Sequence, residues 1–364
     1  MLKYLTILLF VLTLISCQEV FIPEVDDPEP FLIIEGSVST IPGYHQVTLM
    51  WSSKFSHNPA FHRIDNANIY LEDRQGNRTY FYRINSGVYQ TDSLEIFAAV
   101  LGETYTLTVE LDNGNIYRSK PQTVVECPDV KSLYCRYARE SILTENAYGE
   151  AYEIPFDGIS SYTSTDGLFP YNNYYFYRYV GYEQHKTIIR IGVNSYYLYG
   201  HRRLSGKYAR QLLIGNADDY GNNALRDKKL IFIAKDDLYT YVPPLPDTIE
   251  ILSTQFEGLL FRLRQYSLSP DAFDFWHDAE NQLEAKGRLF DPVAPQLHGN
   301  MYCVNDSLQK VVGIFSASDV KEQVSYFYID RRNHIYTKEL ESMPNLILDT
   351  LMWGRPEDWV DIPF

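Results

Sequence analysis

Positive charge is scarce in this sequence. Lys and Arg number 32 against 47 Asp and Glu, which leaves a net charge of −15. Nucleic-acid binding depends on Lys and Arg neutralising phosphates, so an acidic chain with no basic stripe excludes nucleic acid as a partner. The same deficit excludes docking on anionic lipid by charge alone. Cysteine is sparse too, four in 364 residues. Three of them, Cys127, Cys135 and Cys303, lie far from the N-terminus, and an odd set cannot make a complete disulfide framework. Cys127 and Cys135 stay open to bridging in an oxidising compartment. No Cys-x-x-Cys occurs, which removes the common zinc and redox motifs. No apolar run reaches the roughly 20 residues that a membrane-spanning helix needs.

Catalytic signatures are missing as well. There is no Gly-x-Ser-x-Gly elbow, no phosphate-cradling glycine loop and no His-Glu-x-x-His. The eight His are scattered, and His57 and His62, which flank one loop, read as solvated polar residues rather than zinc ligands. Asp218-Asp219 and Asp236-Asp237 are carboxylate pairs, but a glycosidase needs two carboxyls facing each other across a sugar. Sequence neighbours on a strand point to opposite faces instead. Asn216, Asp218 and Asp219 offer oxygen ligands before Gly221, yet their order is not that of the twelve-residue calcium loop. No catalytic residue, metal site or cofactor follows from these residues, and the expectation is a protein that is not an enzyme. A lipid-anchored hydrolase is the reading that this pattern disfavours.

What is present begins at the N-terminus. Lys3 is followed by an apolar run from Leu5 to Ile15, the size of a signal-peptide hydrophobic region. The run ends in Leu14-Ile15-Ser16-Cys17, which resembles the bacterial lipobox: Leu, a branched residue, a small residue, then Cys. In such signals the Cys thiol takes a diacylglyceryl thioether before cleavage, and the small residue admits the peptidase. Residues 1–16 therefore read as a signal peptide and Cys17 as the lipidation site. One acyl chain binds a membrane marginally, whereas two or three hold it stably. Residues 17–30 interleave Glu19, Glu24, Asp26, Asp27 and Glu29 with Pro23, Pro28 and Pro30, the composition of an extended, solvated tether. Acidic residues behind a lipidated Cys resemble the export signals that carry lipoproteins of Bacteroidetes-type bacteria to the cell surface. The expected location is the outer membrane, lipid-anchored and facing outward.

From Phe31 the pattern turns to strands. Phe31 to Val38, Gln46 to Trp51, Asn68 to Asp73, Thr79 to Tyr82, Gly87 to Tyr89 and Thr104 to Leu111 are short apolar or alternating runs, with turns at Arg74-Gln75-Gly76-Asn77 and Asn113-Gly114. The fold class is mainly β. Residues 31–126 are expected to form a β-sandwich of immunoglobulin-like or transthyretin-like type, with Cys127-Pro128 opening the linker.

Residues 127–364 are expected to form a second β-rich domain carrying one amphipathic helix over 270–286. Ser269 caps that helix, Pro270 takes its first position, Asp271 suits its positive end and Gly287 stops it. Phe273, Trp276, Ala279 or Glu280, and Leu283 follow at helical spacing and read as its packed stripe. Val311 to Ser316 and Val324 to Ile329 are expected to close this domain's sheet.

The chain holds 31 Tyr, and they crowd a predicted hairpin from Tyr171 to Tyr199. Tyr171, Tyr174, Tyr175, Tyr177, Tyr179 and Tyr182 admit two readings. They pave a sheet face that meets a glycan or peptide ligand or a partner protein, or they are strand-forming residues packed into the sheet.

Several segments come in one order along the chain: Ile34-Glu35-Gly36, Gly87-Val88-Tyr89, Gln265 to Ser269, the helix with Phe275-Trp276, Gly287 to Pro292, Gly299-Asn300 and Val312 to Ser318. This set resembles the Bacteroidetes lipoprotein family catalogued as domain of unknown function 4249, and the resemblance covers essentially the whole mature chain. It implies association with the outer membrane and a role beside a TonB-dependent receptor, a nutrient-import pore. It brings no catalytic residues. The alternative function, drawn from the anchor and the β-rich composition, is a structural or adhesive envelope lipoprotein binding polysaccharide or matrix.

Overall fold

The computed structural model describes residues 30–52, 62–92, 94, 96–145, 151–165, 174–204, 212–220, 225–239, 245, 249–284, 296–330, 334–346, 348, 351–357 and 359–360. The expected signal peptide, Cys17, nearly all of the tether, His57 and Tyr171 lie outside the described residues. So does Gly287, the expected helix stop. The chain is mainly β, with a sandwich-like architecture, and no helix among the described residues is long and apolar enough to cross a membrane.

The first part supplies β1 (Leu32–Ser39), β2 (Gln46–Trp51), β3 (His62–Arg63), β4 (Ala67–Glu72), β5 (Arg78–Asn85), β6 (Val88–Thr91), β7 (Thr104–Leu111), β8 (Ile116–Ser119) and β9 (Gln122–Thr123). Alternation sets their faces. Leu32, Ile34, Gly36 and Val38 of β1, and Tyr105, Leu107, Val109 and Leu111 of β7, point inward and are buried. At the Asn113-Gly114 turn, Gly114 takes a φ of +87°, which glycine adopts without steric cost.

The second part supplies β10 (Val130–Glu145), β11 (Ala151–Thr165), β12 (Tyr174–Ile191), β13 (Asn194–Arg203), β14 (Ile214–Asn216), β15 (Lys228–Ala234), the short helix α1 (Lys235–Tyr239) and β16 (Glu250–Ser267). The helix α2 (Pro270–Glu284) follows, then β17 (Met301–Cys303), β18 (Val311–Ser318), β19 (Val320–Ile329), β20 (Ile335–Leu340) and β21 (Met352–Trp353). β12 runs to Ile191, so the tyrosine-rich hairpin turns at Gly192-Val193.

β18 does not close the second part's sheet, as the sequence suggested. It pairs in parallel with β1, Leu32 opposite Val311 through Ser39 opposite Ser318, and so belongs to the first sheet. That sheet runs β17-β8-β7-β4-β5-β6-β2-β1-β18, with β3 and β9 off the path. Its two outermost strands come from beyond residue 300. They meet each other through Asn300, whose N–H donates to Gly313 O at 3.0 Å and whose side chain bonds the Phe315 backbone twice, at 2.7 and 2.9 Å. The path therefore curls round one core built on Ile34, Leu49, Ile69, Leu107, Val109, Tyr117 and Phe315.

The second core lies between a three-stranded sheet, β10-β11-β15, and a seven-stranded one, β20-β19-β16-β12-β13-β21 with β14 on β12. The chain crosses between sheets at Asp319. Its carboxylate accepts from Thr40 Oγ1 at 2.8 Å and from the Cys127 N–H at 2.9 Å, so the crossing is tied both to the end of β1 and to the linker.

α2 joins the two parts. Ser269 Oγ accepts from the Ala272 N–H at 3.3 Å, the N-cap that the sequence predicted, and donates to Gln122 Oε1 at 2.6 Å. Lys120 reaches Asp271 at 3.0 Å in the first turn. The packed stripe is Ala272 and Phe275, which join Leu268 and Ile314, with Phe273 and Trp276 half-buried beside them. The predicted stripe is corrected at its end, because Leu283 is 74% exposed.

Candidate functional site

Strand alternation divides the tyrosines of β12 between two faces. Tyr175, Tyr177 and Tyr179, at 0, 1 and 8% exposure, point into the second core against Ile231, Leu263 and Phe261. Burial removes these three from any contact surface, and the packing reading holds for them. Tyr174 and Tyr182 lie on the opposite face, both half-buried. Tyr174 stacks on Phe273 of α2, ring centres 4.5 Å apart, and Tyr182 packs near Leu260 and Tyr326.

Further along the inward face, β12 carries a charged cluster. Glu183 and His185 are 2 and 1% exposed. His185 Nε2 lies 2.8 Å from Glu183 Oε2; a carboxylate only accepts, so Nε2 carries the proton. Arg202, directly across on β13, donates to the same oxygen from Nε at 2.9 Å and from Nη2, and its Nη2 also holds Asp237 O of α1 at 2.7 Å. A carboxylate beside an imidazole is a catalytic pairing in open sites, but here both are sealed from substrate. The cluster neutralises a buried Glu and fastens α1 to the sheet.

On the other face His201 is buried against Trp359, ring centres 5.0 Å apart. Burial and the neighbouring His185 depress its pKa to about 4, so the ring is neutral at pH 7. Cys127, Cys135 and Cys303 are all buried free thiols, so Cys127 and Cys135 are not bridged. Burial pushes the Cys127 thiol up to about 12 and that of Cys135 well above its ordinary value, which leaves both unreactive.

Concave surface gathers on either side of α2. On one side Glu35, Ser37, Phe176, Arg178, Tyr266, Trp276 and Ser316 line a cleft between the first sheet and the helix. The Arg178 guanidinium lies over Phe176 and Tyr266, 5.5 and 5.8 Å from the ring centres. About 30 Å³ remains, room for a water molecule but not for a ligand.

On the other side lies a pocket of about 260 Å³, lined by Ile214, Gly215, Asn216 and Asp219, by Lys228, and by Phe273, His277 and Glu280. Three elements build it, and β15 contributes Lys228 at its start. β14 ends at Asn216, whose Oδ1 accepts from the Asp218 N–H at 3.0 Å and fixes the tight 3-10 turn carrying Asp219. α2 contributes Phe273, His277 and Glu280 at spacings of four and three, one helical face. Phe273 and His277 stack at 5.7 Å and 10°, so Tyr174, Phe273 and His277 form one continuous stack.

Asn216, Asp218 and Asp219, weighed in the sequence as calcium ligands, thus sit at or beside this pocket. Among the described residues no group of three His, Cys, Asp or Glu is placed to hold a metal ion. His62 is exposed on β3, and Asp236-Asp237 lie on α1. Sequence reasoning missed Phe273, His277 and Glu280 as a lining. Their spacing was legible, but a stripe of that spacing reads first as core.

These features define a two-core β protein whose concave surface flanks a bridging helix, without an assembled catalytic centre among the described residues. A family model described as Domain of unknown function (DUF4249) matches residues 18–324, most of the chain, and the chain belongs to that family. No curated protein and no solved structure matches it.

Proposed function

We propose that this protein is an outer-membrane lipoprotein, anchored through Cys17 and exposed at the cell surface, that acts without catalysis as a binding subunit beside a TonB-dependent nutrient importer. The observation that carries the reading is Leu14-Ile15-Ser16-Cys17 followed at once by an acidic, proline-rich tether. A short apolar run ending in a lipidatable thiol explains how an acidic chain stays at a membrane that its charge repels. A pocket rich in polar groups supports binding as the activity.

Cell fractionation tests the anchor. The wild-type protein is expected in outer-membrane fractions, labelled by an alkynyl fatty acid and shaved from intact cells by protease. C17A is expected to lose both label and membrane association. An unlabelled wild-type protein, or one resistant to shaving, overturns the anchor or its orientation. Affinity purification from detergent-solubilised outer membrane tests the partner, with co-recovery of a receptor-type barrel expected. Recovery with envelope polysaccharide and no barrel would overturn the importer role in favour of an adhesive one.

A further inference from the structure

We infer that the pocket between β14 and α2 holds a single neutral sugar ring. The inference rests on the binding-module reading above but not on the importer, because it concerns only what the pocket takes.

The lining mixes hydrogen-bonding roles. Asp219 and Glu280 supply carboxylate acceptors, Lys228 and Asn216 supply N–H donors, and His277 serves as either. A pyranose carries hydroxyls that each donate and accept, so it satisfies such a mixture better than a ligand of one polarity. Charge narrows the choice. Among the described lining residues, two carboxylates against one ammonium disfavour a phosphate or a uronate, and Lys228 offsets part of the pull that they would exert on a free amine. An apolar ligand would strip water from five polar side chains and replace none of their hydrogen bonds.

Shape points the same way. The volume of about 260 Å³ lies just below the usual range for drug-sized ligands, which suits one ring rather than an extended chain. The Tyr174–Phe273–His277 stack ends in an imidazole on the pocket wall, its ring plane fixed by the residues beneath it. That is a platform for the C–H face of a sugar. Asp219 is also set in advance, since Asn216 holds the turn through the Asp218 N–H and reaches Asp219 Oδ1 at 3.4 Å. Preorganisation of this kind lowers the entropy cost of binding.

The test uses the full mature lipoprotein in detergent micelles. Methyl glycosides of D-glucose, D-galactose and D-mannose are titrated by saturation-transfer NMR and calorimetry, with D-glucuronate and D-glucosamine as charged comparisons. At least one neutral glycoside is expected to bind with a Kd below about 10 mM, an affinity common for single rings held by a few hydrogen bonds. D219N and E280Q are each expected to weaken it at least about 10-fold, the loss of one charge-assisted hydrogen bond. K338A, on exposed β20, is expected to leave it unchanged. In the wild-type protein the His277 ring resonances are expected to shift during the titration, a readout independent of any variant's folding. Failure of every neutral glycoside to bind overturns the proposal. So does tighter binding of a charged comparison, undiminished binding in the D219N/E280Q double variant, or unmoved His277 resonances. Receptor co-purification by that double variant reads the importer hypothesis separately.

Discussion

His201 shows how one buried side chain sets a pH limit. Its folded pKa of about 4 lies below the ordinary value of 6.5, so between these values the unfolded chain binds a proton that the native state refuses. Stability from this group is complete above pH 6.5 and is lost as pH falls toward 4, on the order of 3 kcal/mol across the window. His45, also buried with a lowered pKa, adds in the same direction. Thermal melting is expected to fall steeply from pH 7 to pH 4.5, and H201Q is expected to flatten that slope. An H201Q slope equal to that of the wild type would show that the acid sensitivity lies elsewhere. No sequence feature marks His201 out from the other seven His, because its burial depends on Trp359, which is distant in the chain.

Glu183 carries a related lesson at the same scale. Removing one partner of a buried, hydrogen-bonded charge cluster leaves the others without a counter-charge, a loss of roughly 3 kcal/mol or more. Because Arg202 is partly open to solvent, E183Q is expected to cost somewhat less, about 2 kcal/mol by urea titration. A change under about 0.5 kcal/mol, within the range of ordinary surface substitutions, would show that water supports Arg202 and His185 without the carboxylate. The sequence displayed Glu-x-His, but only the pairing of β12 with β13 brings Arg202 opposite.

Among the elements, β18 rests on close backbone approach. A Cβ at Gly313 would collide with Ile34 O, and one at Gly299 would collide with the Gly313 carbonyl. Neither neighbour is a flexible side chain, so the backbone itself would have to move. G313A is expected to destabilise by at least the 1–3 kcal/mol typical of overpacking, read as a lower denaturant midpoint. An unchanged midpoint would mean that β1 and β18 separate without loss. The element types were readable from alternation and turn residues: the strands of the first part and the helix with its Ser269 cap stand where the pattern puts them.

The face of β12 was not readable. Aromatic residues stand on both faces at its start, Tyr174 and Phe176 on one and Tyr175, Tyr177 and Tyr179 on the other, and only Arg178 breaks the symmetry between them. The candidate pocket suffered similarly. Phe273, His277 and Glu280 share a helical face in the sequence, but Asn216 and Asp219 come to it only through the pairing of β14 with β12, Lys228 through that of β15 with β11, and all three through the docking of α2.

At the scale of the whole molecule, the first sheet is closed by strands that begin after residue 300. A fragment of residues 31–126 would leave β1 and β8 as bare edges and expose the core beneath Phe315. Such a fragment is expected to aggregate or to lack dispersed amide resonances, while the chain from residue 18 to 364 folds. A monomeric, well-dispersed spectrum from the fragment alone would refute the dependence on β17 and β18. The parallel β1–β18 pairing spans more than 270 residues, so its loop-closure entropy must be offset before the sheet is complete.

By itself the sequence determined the β class, the strand periods, the capped helix and the acidic composition, because each is encoded in neighbours a few residues apart. It also supplied Leu14-Ile15-Ser16-Cys17, a pattern that resembles a lipobox and needs no fold to be read. Tertiary structure alone decided which face of β12 is core, that β18 belongs to the first sheet, that His201 is buried, and that three separate segments meet around one polar pocket. Those outcomes depend on contacts between residues tens to hundreds of positions apart. Their energies come from burial and pairing that no local window contains.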